Sequence, residues 1–186
     1  MPNPLESNYL QDASREFRRL KKLADDAVAQ VTDTDFFHVL DPESNSIALI
    51  VKHIAGNLHS RWTDFLTADG EKPDRRRDLE FDLAEAETRA ALTERWEQGW
   101  SLVFDTTESL TPADLGRTVL IRAEPHSVLK AIQRQLIHNA YHIGQIVFLA
   151  KHCRSSGWKT LSIPRGETER FNARMLERFR ERKDVR

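Results

Sequence analysis

Two histidines spaced four residues apart, His138 and His142, are the side chains of this chain best suited to metal chemistry. Four residues are slightly more than one helical turn, so both imidazoles project from one face of a helix and together can bind one metal ion. A third histidine, His53, lies far upstream in the apolar segment Ile47–Ile54, where an unpaired imidazole is costly. We therefore interpret these three histidines as candidate ligands of a single ion, brought together by helices.

Each of these histidines also has a simpler interpretation. Pairs at this spacing occur by chance on helix surfaces and in cores, and a core histidine at position 53 would bond to a carbonyl or to Asn57. The pair is not the H-E-x-x-H motif of metalloproteases, because Asn139 follows His138 where that motif has the glutamate that acts as general base. Hydrolysis on the metalloprotease pattern is therefore disfavoured.

Two polar residues are candidates for orienting an imidazole or a substrate: Asn57, one turn after His53, and Gln145, three residues after His142. Ordinary polar contacts between helices are the alternative for both. Cys153 is a poor nucleophile candidate because it lies about 16 Å beyond His142 along a helix with a rise of 1.5 Å per residue. No residue is assigned as catalytic. The other four histidines are interpreted as surface or capping residues: His38, His59, His126 and His152.

The composition is that of a folded globular protein. Of 186 residues, 39% are hydrophobic and 31% are charged, and the net charge of −1 argues against nucleic acid or an anionic membrane as partner. A single cysteine allows no internal disulfide, which fits a reducing cytoplasm. The start of the chain has no apolar run typical of a signal peptide, and no apolar run is long enough to span a bilayer.

Apolar residues at helical spacing predict an all-α domain over residues 1–186, with helices near 5–31, 45–67, 83–109, 126–153 and 167–182. Residues 44–46 are N-cap candidates for the second helix, and Pro125 and Ser127 open the helix that carries His138 and His142. Residues 71–82 form a charged linker that is too polar to be core. Residues 117–122 are the one β-like segment, either an edge strand or an extended connection.

Two features bear on partners. The run Arg75–Arg77 is flanked by acidic residues, and the basic segment 178–183 contains Glu181, so both are interpreted as solvated faces; a small-molecule substrate is favoured over nucleic acid. A homodimer is also expected, because four helices have little room to bury all the aromatic side chains on the third and last helices. The residues in question are Trp96, Trp100, Phe171 and Phe179.

Three stretches of this chain resemble a known family. They are residues 45–72, which include His53, Gly56-Asn57 and Arg61-Trp62-Thr63-Asp64-Phe65-Leu66; residues 138–145; and residues 161–172, which include Leu161-Ser162-Ile163-Pro164-Arg165-Gly166. The three histidines resemble those of the DinB/YfiT-like metal-binding superfamily. The third stretch is similar to one branch, grouped as domain of unknown function 1572. The run Asp74-Arg75-Arg76-Arg77-Asp78 departs from this branch, whose members tend to have an aromatic residue and an asparagine among the arginines.

The resemblance implies an antiparallel four-helix bundle in up-down-down-up order with an extra C-terminal helix. It implies a divalent metal, nickel, zinc or iron, bound by His53, His138 and His142. Some members of the superfamily resemble thiol-dependent S-transferases that use bacillithiol, mycothiol or glutathione, and homodimers are common in the superfamily.

Three neutral histidines leave at least one position open on the metal, which is more typical of catalytic than of structural sites. A cation with an open position can bind a thiol and lower its pKa, or it can activate water. We therefore expect a metal-dependent thiol S-transferase that acts on a small molecule. The alternatives are hydrolase-type water activation and a non-catalytic metal-binding or stress-response protein.

Overall fold

The computed structural model describes residues 4–84 and 86–183, and the described part of the chain is mostly helical. The all-α prediction is confirmed at this level. Besides the helices, the described residues contain a two-stranded antiparallel sheet and three short 3₁₀ turns. In chain order the elements are α1 (Pro4–Val28), α2 (Asp33–Phe37), α3 (Ile47–Trp62), a 3₁₀ turn (Arg77–Phe81), α4 (Arg89–Ser109), a 3₁₀ turn (Pro112–Asp114), β1 (Thr118–Ile121), β2 (Glu124–Ser127), α5 (Val128–Arg154), a 3₁₀ turn (Ser155–Gly157) and α6 (Thr168–Lys183).

Several helix boundaries, predicted to within about two to four residues, differ from those in the structure. The second long helix ends at Trp62 rather than at residue 67, and Asp64 then takes a positive φ of 51°. The last long helix begins at Val128 rather than at 126 because residues 124–127 pair as strand β2. The third helix begins at Arg89 rather than at residue 83, because residues 83–84 and 86–88 are not helical; residue 85 lies outside the described residues.

The helices that carry the histidines begin at side-chain caps. The hydroxyl of Ser46 accepts a hydrogen bond from the backbone N–H of Leu49 at 3.2 Å, and the hydroxyl of Ser127 accepts one from the N–H of Lys130 at 3.1 Å. Such caps satisfy donors that the first helical turn leaves unpaired and typically contribute about 1 kcal/mol each. Both caps fall on residues that the sequence identified as candidates.

The core lies where α1, α3, α4 and α5 pack together. Phe17 of α1 is fully buried, and its ring meets those of Trp62 and Trp100 edge to face at centroid distances of 5.5 and 6.3 Å. Trp96 is also buried, and its indole donates a hydrogen bond to Asp25 at 2.9 Å. The two tryptophans of α4 are therefore core residues. The prediction that they offer apolar surface to a second subunit was wrong.

Helices α3 and α4 approach each other closely at Gly99. A Cβ at this position would lie 3.1 Å from the Cβ of Leu58 and 3.3 Å from the carbonyl oxygen of Ala55. The missing side chain lets α4 pack close against the helix that carries His53.

The predicted β-like segment is one arm of a hairpin that pairs Thr118 with Ser127 and Ile121 with Glu124. Its two turn residues have positive φ, 56° at Arg122 and 61° at Ala123, as in a type I′ turn. The carboxylate of Asp69 accepts hydrogen bonds from both of their backbone N–H groups, at 2.8 and 2.7 Å. The hairpin is thereby fixed to the segment that follows α3.

The chain divides into two compact units, residues 1–155 and residues 156–186. The second unit contains α6, on which Leu176 and Phe179 are exposed. The single domain over residues 1–186 stays a prediction. None of the described helices is both long and apolar enough to span a membrane.

Candidate metal centre

The three predicted histidines lie together between α3 and α5. His53, His138 and His142 each offer a ring nitrogen, and these three atoms all lie within 4.8 Å of one another. The Nε2 atoms of His53 and His138 are 3.2 Å apart, and the ring of His142 lies 4.8 Å from that of His53 and 4.7 Å from that of His138. Two of the rings come from one turn of α5 and the third crosses from α3, as the spacing indicated.

This geometry fits a divalent cation. Imidazole nitrogens bind such ions at about 2.0–2.1 Å, so two nitrogens on one ion with roughly tetrahedral angles lie about 3.3–3.4 Å apart. The distance of 3.2 Å between the Nε2 atoms of His53 and His138 is close to that value. Metal binding by these residues stays a prediction.

Glu80 holds the imidazole of His53 in a defined orientation. Its Oε2 lies 2.8 Å from the Nδ1 of His53, and the carboxylate is almost fully buried. Burial acts to raise the pKa of Glu80, but hydrogen bonds from His53 and Arg75 outweigh it and lower that pKa. An ionised carboxylate only accepts hydrogen bonds, so His53 donates from Nδ1 and directs its Nε2 lone pair toward the other histidines.

Arg75 in turn holds Glu80. Its guanidinium donates to both carboxylate oxygens, from Nε to Oε1 at 2.7 Å and from Nη2 to Oε2 at 2.9 Å, and donates from Nη1 to Glu71 at 3.1 Å. The Arg75 side chain is 6% exposed. The interpretation of the linker as too polar for the core, and of the arginine run as a solvated face, was therefore wrong for Glu80 and Arg75.

The 3₁₀ turn Arg77–Phe81 brings Glu80 to the histidines, and Gly56 leaves room for it. The ring of Phe81 covers His53 at a centroid distance of 4.7 Å. A Cβ at Gly56, three residues after His53 on α3, would lie 2.7 Å from Oε1 of Glu80, closer than a real Cβ can approach. The small residue in the motif Gly56-Asn57 thus has a direct structural role at the site.

The two predicted orienting residues differ in what they contact. The side-chain oxygen of Gln145 lies 2.8 Å from Nδ1 of His142 and accepts a hydrogen bond from it, so the lone pair of that ring is on Nε2. Asn57 has no hydrogen bond to a histidine among the described residues; its oxygen accepts a hydrogen bond from Gln135 at 3.0 Å, and Gln135 also donates to Asn139 at 2.7 Å. Asn57 therefore matches the alternative interpretation, a polar contact between helices, although it also lines the cavity described below.

The environment keeps the two histidines of α5 neutral. Burial, together with the nearby rings of His142 and His53, lowers the pKa of His138 from 6.5 to about 4. Burial also lowers the pKa of His142, with further contributions from His53 and Arg77. Metal ligands must be unprotonated, so these two lone pairs are available at neutral pH without the loss of a proton.

The histidines line a cavity of about 420 Å³, which is within the range of small-molecule sites. One part of its wall is apolar and aromatic, with Trp62, Phe65 and Phe81, and the hairpin contributes Ile121. None of the described side chains that line the cavity carries a carboxylate. The centre therefore has room beside it for a substrate, which a closed structural metal site lacks.

The remaining histidines and the cysteine lie apart from this centre. His38, His59 and His152 are exposed, in agreement with the sequence interpretation. His126 is different: it lies on β2, and its side chain is only 7% exposed, so it is neither a surface nor a capping residue. Burial raises the pKa of the Cys153 thiol, which disfavours a nucleophilic role.

The family comparison agrees with the resemblance read from the motifs. Residues 5–167 match the family described as protein of unknown function (DUF1572). No curated protein matches the chain. The predicted branch is thereby confirmed. Because the match covers most of the 186 residues, the chain belongs to the DUF1572 family.

Proposed function

We propose that this protein is a metal-dependent enzyme in which His53, His138 and His142 hold a divalent ion, with nickel, zinc and iron as candidates. The observation that carries this proposal is the convergence of three ring nitrogens within 4.8 Å at the wall of a cavity. When bound, such an ion lowers the pKa of a thiol or water at its open position. Glu80 and Gln145 orient two of the rings, and Phe81 covers one of them.

We further propose that the reaction is S-transfer from a low-molecular-weight thiol. In such a transfer the thiol sulfur forms a bond to an electrophilic carbon, the leaving group departs with the electrons of the broken bond, and the thiol proton passes to solvent. A thiol of lowered pKa needs no protein base, and the lining of the cavity supplies no carboxylate among the described side chains. This supports thiol transfer over hydrolysis, in which a carboxylate commonly takes a proton from water.

The experiment uses the full chain purified without a histidine tag and loaded with cobalt. We expect glutathione, bacillithiol or mycothiol to add a sulfur-to-cobalt charge-transfer band to the absorption spectrum. The same additions to the His142→Ala variant serve as the control. A spectrum that none of the three thiols changes, with cobalt confirmed at the site, would contradict thiol transfer and favour water activation or a non-catalytic binding role.

We infer the finer fold from contacts between helix ends. The antiparallel bundle in up-down-down-up order is supported because the starts of α1 and α5 meet, the ends of α3 and α4 meet, and the end of α1 meets the start of α4. The contacts in question are Tyr9–Leu129, Trp62–Thr106 and Val28–Arg89. This arrangement supports membership of the DinB/YfiT-like superfamily. We also propose a cytoplasmic location, on the basis of the single cysteine.

A homodimer remains part of the proposal, with a different surface from the one expected. Ile137, Tyr141 and Phe148 are 65–70% exposed and lie within about 40° of one another around α5, given about 100° per residue. Such an apolar stripe can pair with its own copy across a two-fold axis. We expect light scattering to give about twice the chain mass of 21.5 kDa, and Phe148→Lys to shift the protein toward the single chain. A wild-type mass of 21.5 kDa at micromolar concentration would contradict the dimer.

A further inference from the structure

The cavity beside the histidines is strongly cationic, although the whole chain has a net charge of −1. Three of the arginines that line it are in ion pairs: Arg75 with Glu71 and Glu80, and Arg61 and Arg122 with Glu71 at 2.9 and 3.3 Å. Glu71 thus forms ion pairs with three guanidinium groups at once. The full set of lining arginines is Arg61, Arg75, Arg77, Arg122 and Arg134.

The other two arginines have no ion pair within the described part of the chain. The guanidinium of Arg77 lies over the ring of Phe81, 5.1 Å from its centroid, and its charge contributes to the lowered pKa of His142. Arg134 lies one turn before His138 on α5, so it lines the same face of that helix. Two guanidinium groups without a protein counter-charge therefore flank the three histidines.

An apolar surface completes the cavity. The rings of Trp62 and Phe65 are stacked at 15° with centroids 4.9 Å apart, and both line the cavity together with Ile121 of the hairpin. Trp62 and Phe65 are only 2% and 9% exposed. The apolar surface open to a ligand therefore comes mainly from Leu120 and Phe81, and unpaired positive charge lies on another side. Such walls match a molecule with an apolar body and a negatively charged group.

We propose that the cavity binds a small organic anion, whose carboxylate pairs with Arg77 and Arg134 while its apolar body packs against the apolar wall that includes Phe81 and Leu120. The guanidinium fork donates two parallel hydrogen bonds to a carboxylate, which fixes the orientation of the ligand as well as adding affinity. Because Arg134 is one turn from His138, the rest of such a molecule lies beside the histidines. That this anion is a substrate rests on the proposed function; that the cavity binds it does not.

The test uses the full chain after chelation, so that it does not depend on metal or on thiol chemistry. Calorimetric titration compares two probes of nearly equal shape, 3-phenylpropionate and its neutral amide. We expect the carboxylate to bind about tenfold more tightly than the amide at low salt, since charge-assisted hydrogen bonds are roughly twice as strong as neutral ones. We expect this preference to weaken as salt is added, because exposed charges are screened.

Variants then assign the preference to residues. Arg77→Gln and Arg134→Gln should each reduce the preference for the carboxylate and together abolish it, with binding of the amide unchanged. Arg134→Lys, which keeps the charge, should keep part of the preference. The matched control is Arg19→Gln, because Arg19 is an exposed arginine of α1 that does not line the cavity.

Three results would overturn the proposal: equal affinity for the two probes, no binding of either probe, or an undiminished preference in the double variant. Circular dichroism of each variant excludes unfolding as the cause of a loss. The absence of a thiol-dependent cobalt band would refute thiol transfer but not the anion site. Equal affinity for the two probes would refute the anion site but not thiol transfer.

Discussion

Alanine at position 53, 138 or 142 is expected to abolish stoichiometric binding of a divalent ion, whichever of the three histidines is replaced. Each side chain supplies one of three nitrogens that lie within 4.8 Å of one another, and a protein with two remaining ligands competes poorly with water for the ion. We expect affinity to fall by at least about 100-fold, in keeping with the large share of folding and binding energy that ligands supply in such sites. Elemental analysis of protein purified without a histidine tag measures the loss.

The controls come from the same chain. His59→Ala and His152→Ala replace exposed histidines on the two helices that carry the ligands, so they change the histidine count without changing the site. Both should retain full metal content. Since His53→Ala leaves Glu80 without its imidazole partner, His53→Gln, which can still hydrogen-bond to the carboxylate, separates loss of the ligand from loss of the fold. Stoichiometric metal in all three alanine variants would show that the assignment is wrong.

The three candidate histidines could be identified from the sequence because the information that marks each of them is local. The spacing of His138 and His142 places both rings on one face of any helix, and the apolar surroundings of His53 predict that it faces inward. The caps Ser46 and Ser127 are equally local, since each bonds a backbone group three residues away. These features need no knowledge of which elements meet in space.

The side chains that hold His53 in its orientation could not be identified from the sequence in the same way. Glu80 and Arg75 lie in a segment whose composition is that of a solvated linker, and only the tertiary fold shows that each neutralises the other in a buried position. Composition shows only that each residue is charged, whereas a buried ion pair depends on the distance and orientation of two side chains in the fold. The signal that was available is Gly56, because a glycine inside a helix lowers its stability and usually marks close approach by another group.

For Trp96 and Trp100 the error was the opposite one: buried side chains were predicted to be partly exposed. Both were expected to exceed what four helices can bury, but edge-to-face contacts with Phe17 and with each other pack them into the core. Periodicity gives the direction of a side chain and not the space available for it. Three large exposed apolar side chains lie instead along α5, at Ile137, Tyr141 and Phe148, where the same rule assigns them to the outer face.

Loss of the Glu80 carboxylate is expected to lower metal affinity by about 10- to 100-fold, the usual effect of removing a group that orients a metal-bound histidine. Without the carboxylate, His53 is free to change tautomer or rotate, so its Nε2 lone pair no longer points steadily at the other two rings. Glu80→Gln is the milder change, because the amide oxygen can still accept from Nδ1 while the negative charge is lost. Glu80→Ala also leaves the buried guanidinium of Arg75 with Glu71 as its one carboxylate partner among the described residues.

Affinity is measured by competition with a coloured chelator, and thermal melting of the chelated protein separates effects on folding. We expect both variants to weaken metal binding and to lower the melting temperature, Glu80→Ala more than Glu80→Gln, since Glu71 is shared among three arginines and compensates the buried charge of Arg75 only in part. Metal affinity equal to wild type in folded Glu80→Gln and Glu80→Ala variants would show that His53 does not need this partner.

Gly56→Ala tests the same contact by sterics alone, because it removes no charge and no hydrogen-bonding group. The new Cβ would lie 2.7 Å from Oε1 of Glu80, so the carboxylate must move away from its place between Arg75 and His53. The matched control is Gly144→Ala on α5, where a Cβ meets no atom within 4 Å and alanine should stabilise the helix by about 0.5–1 kcal/mol. Because both variants make the same chemical change in a helix, a loss of metal affinity at position 56 and not at position 144 would trace the effect to the position of Glu80.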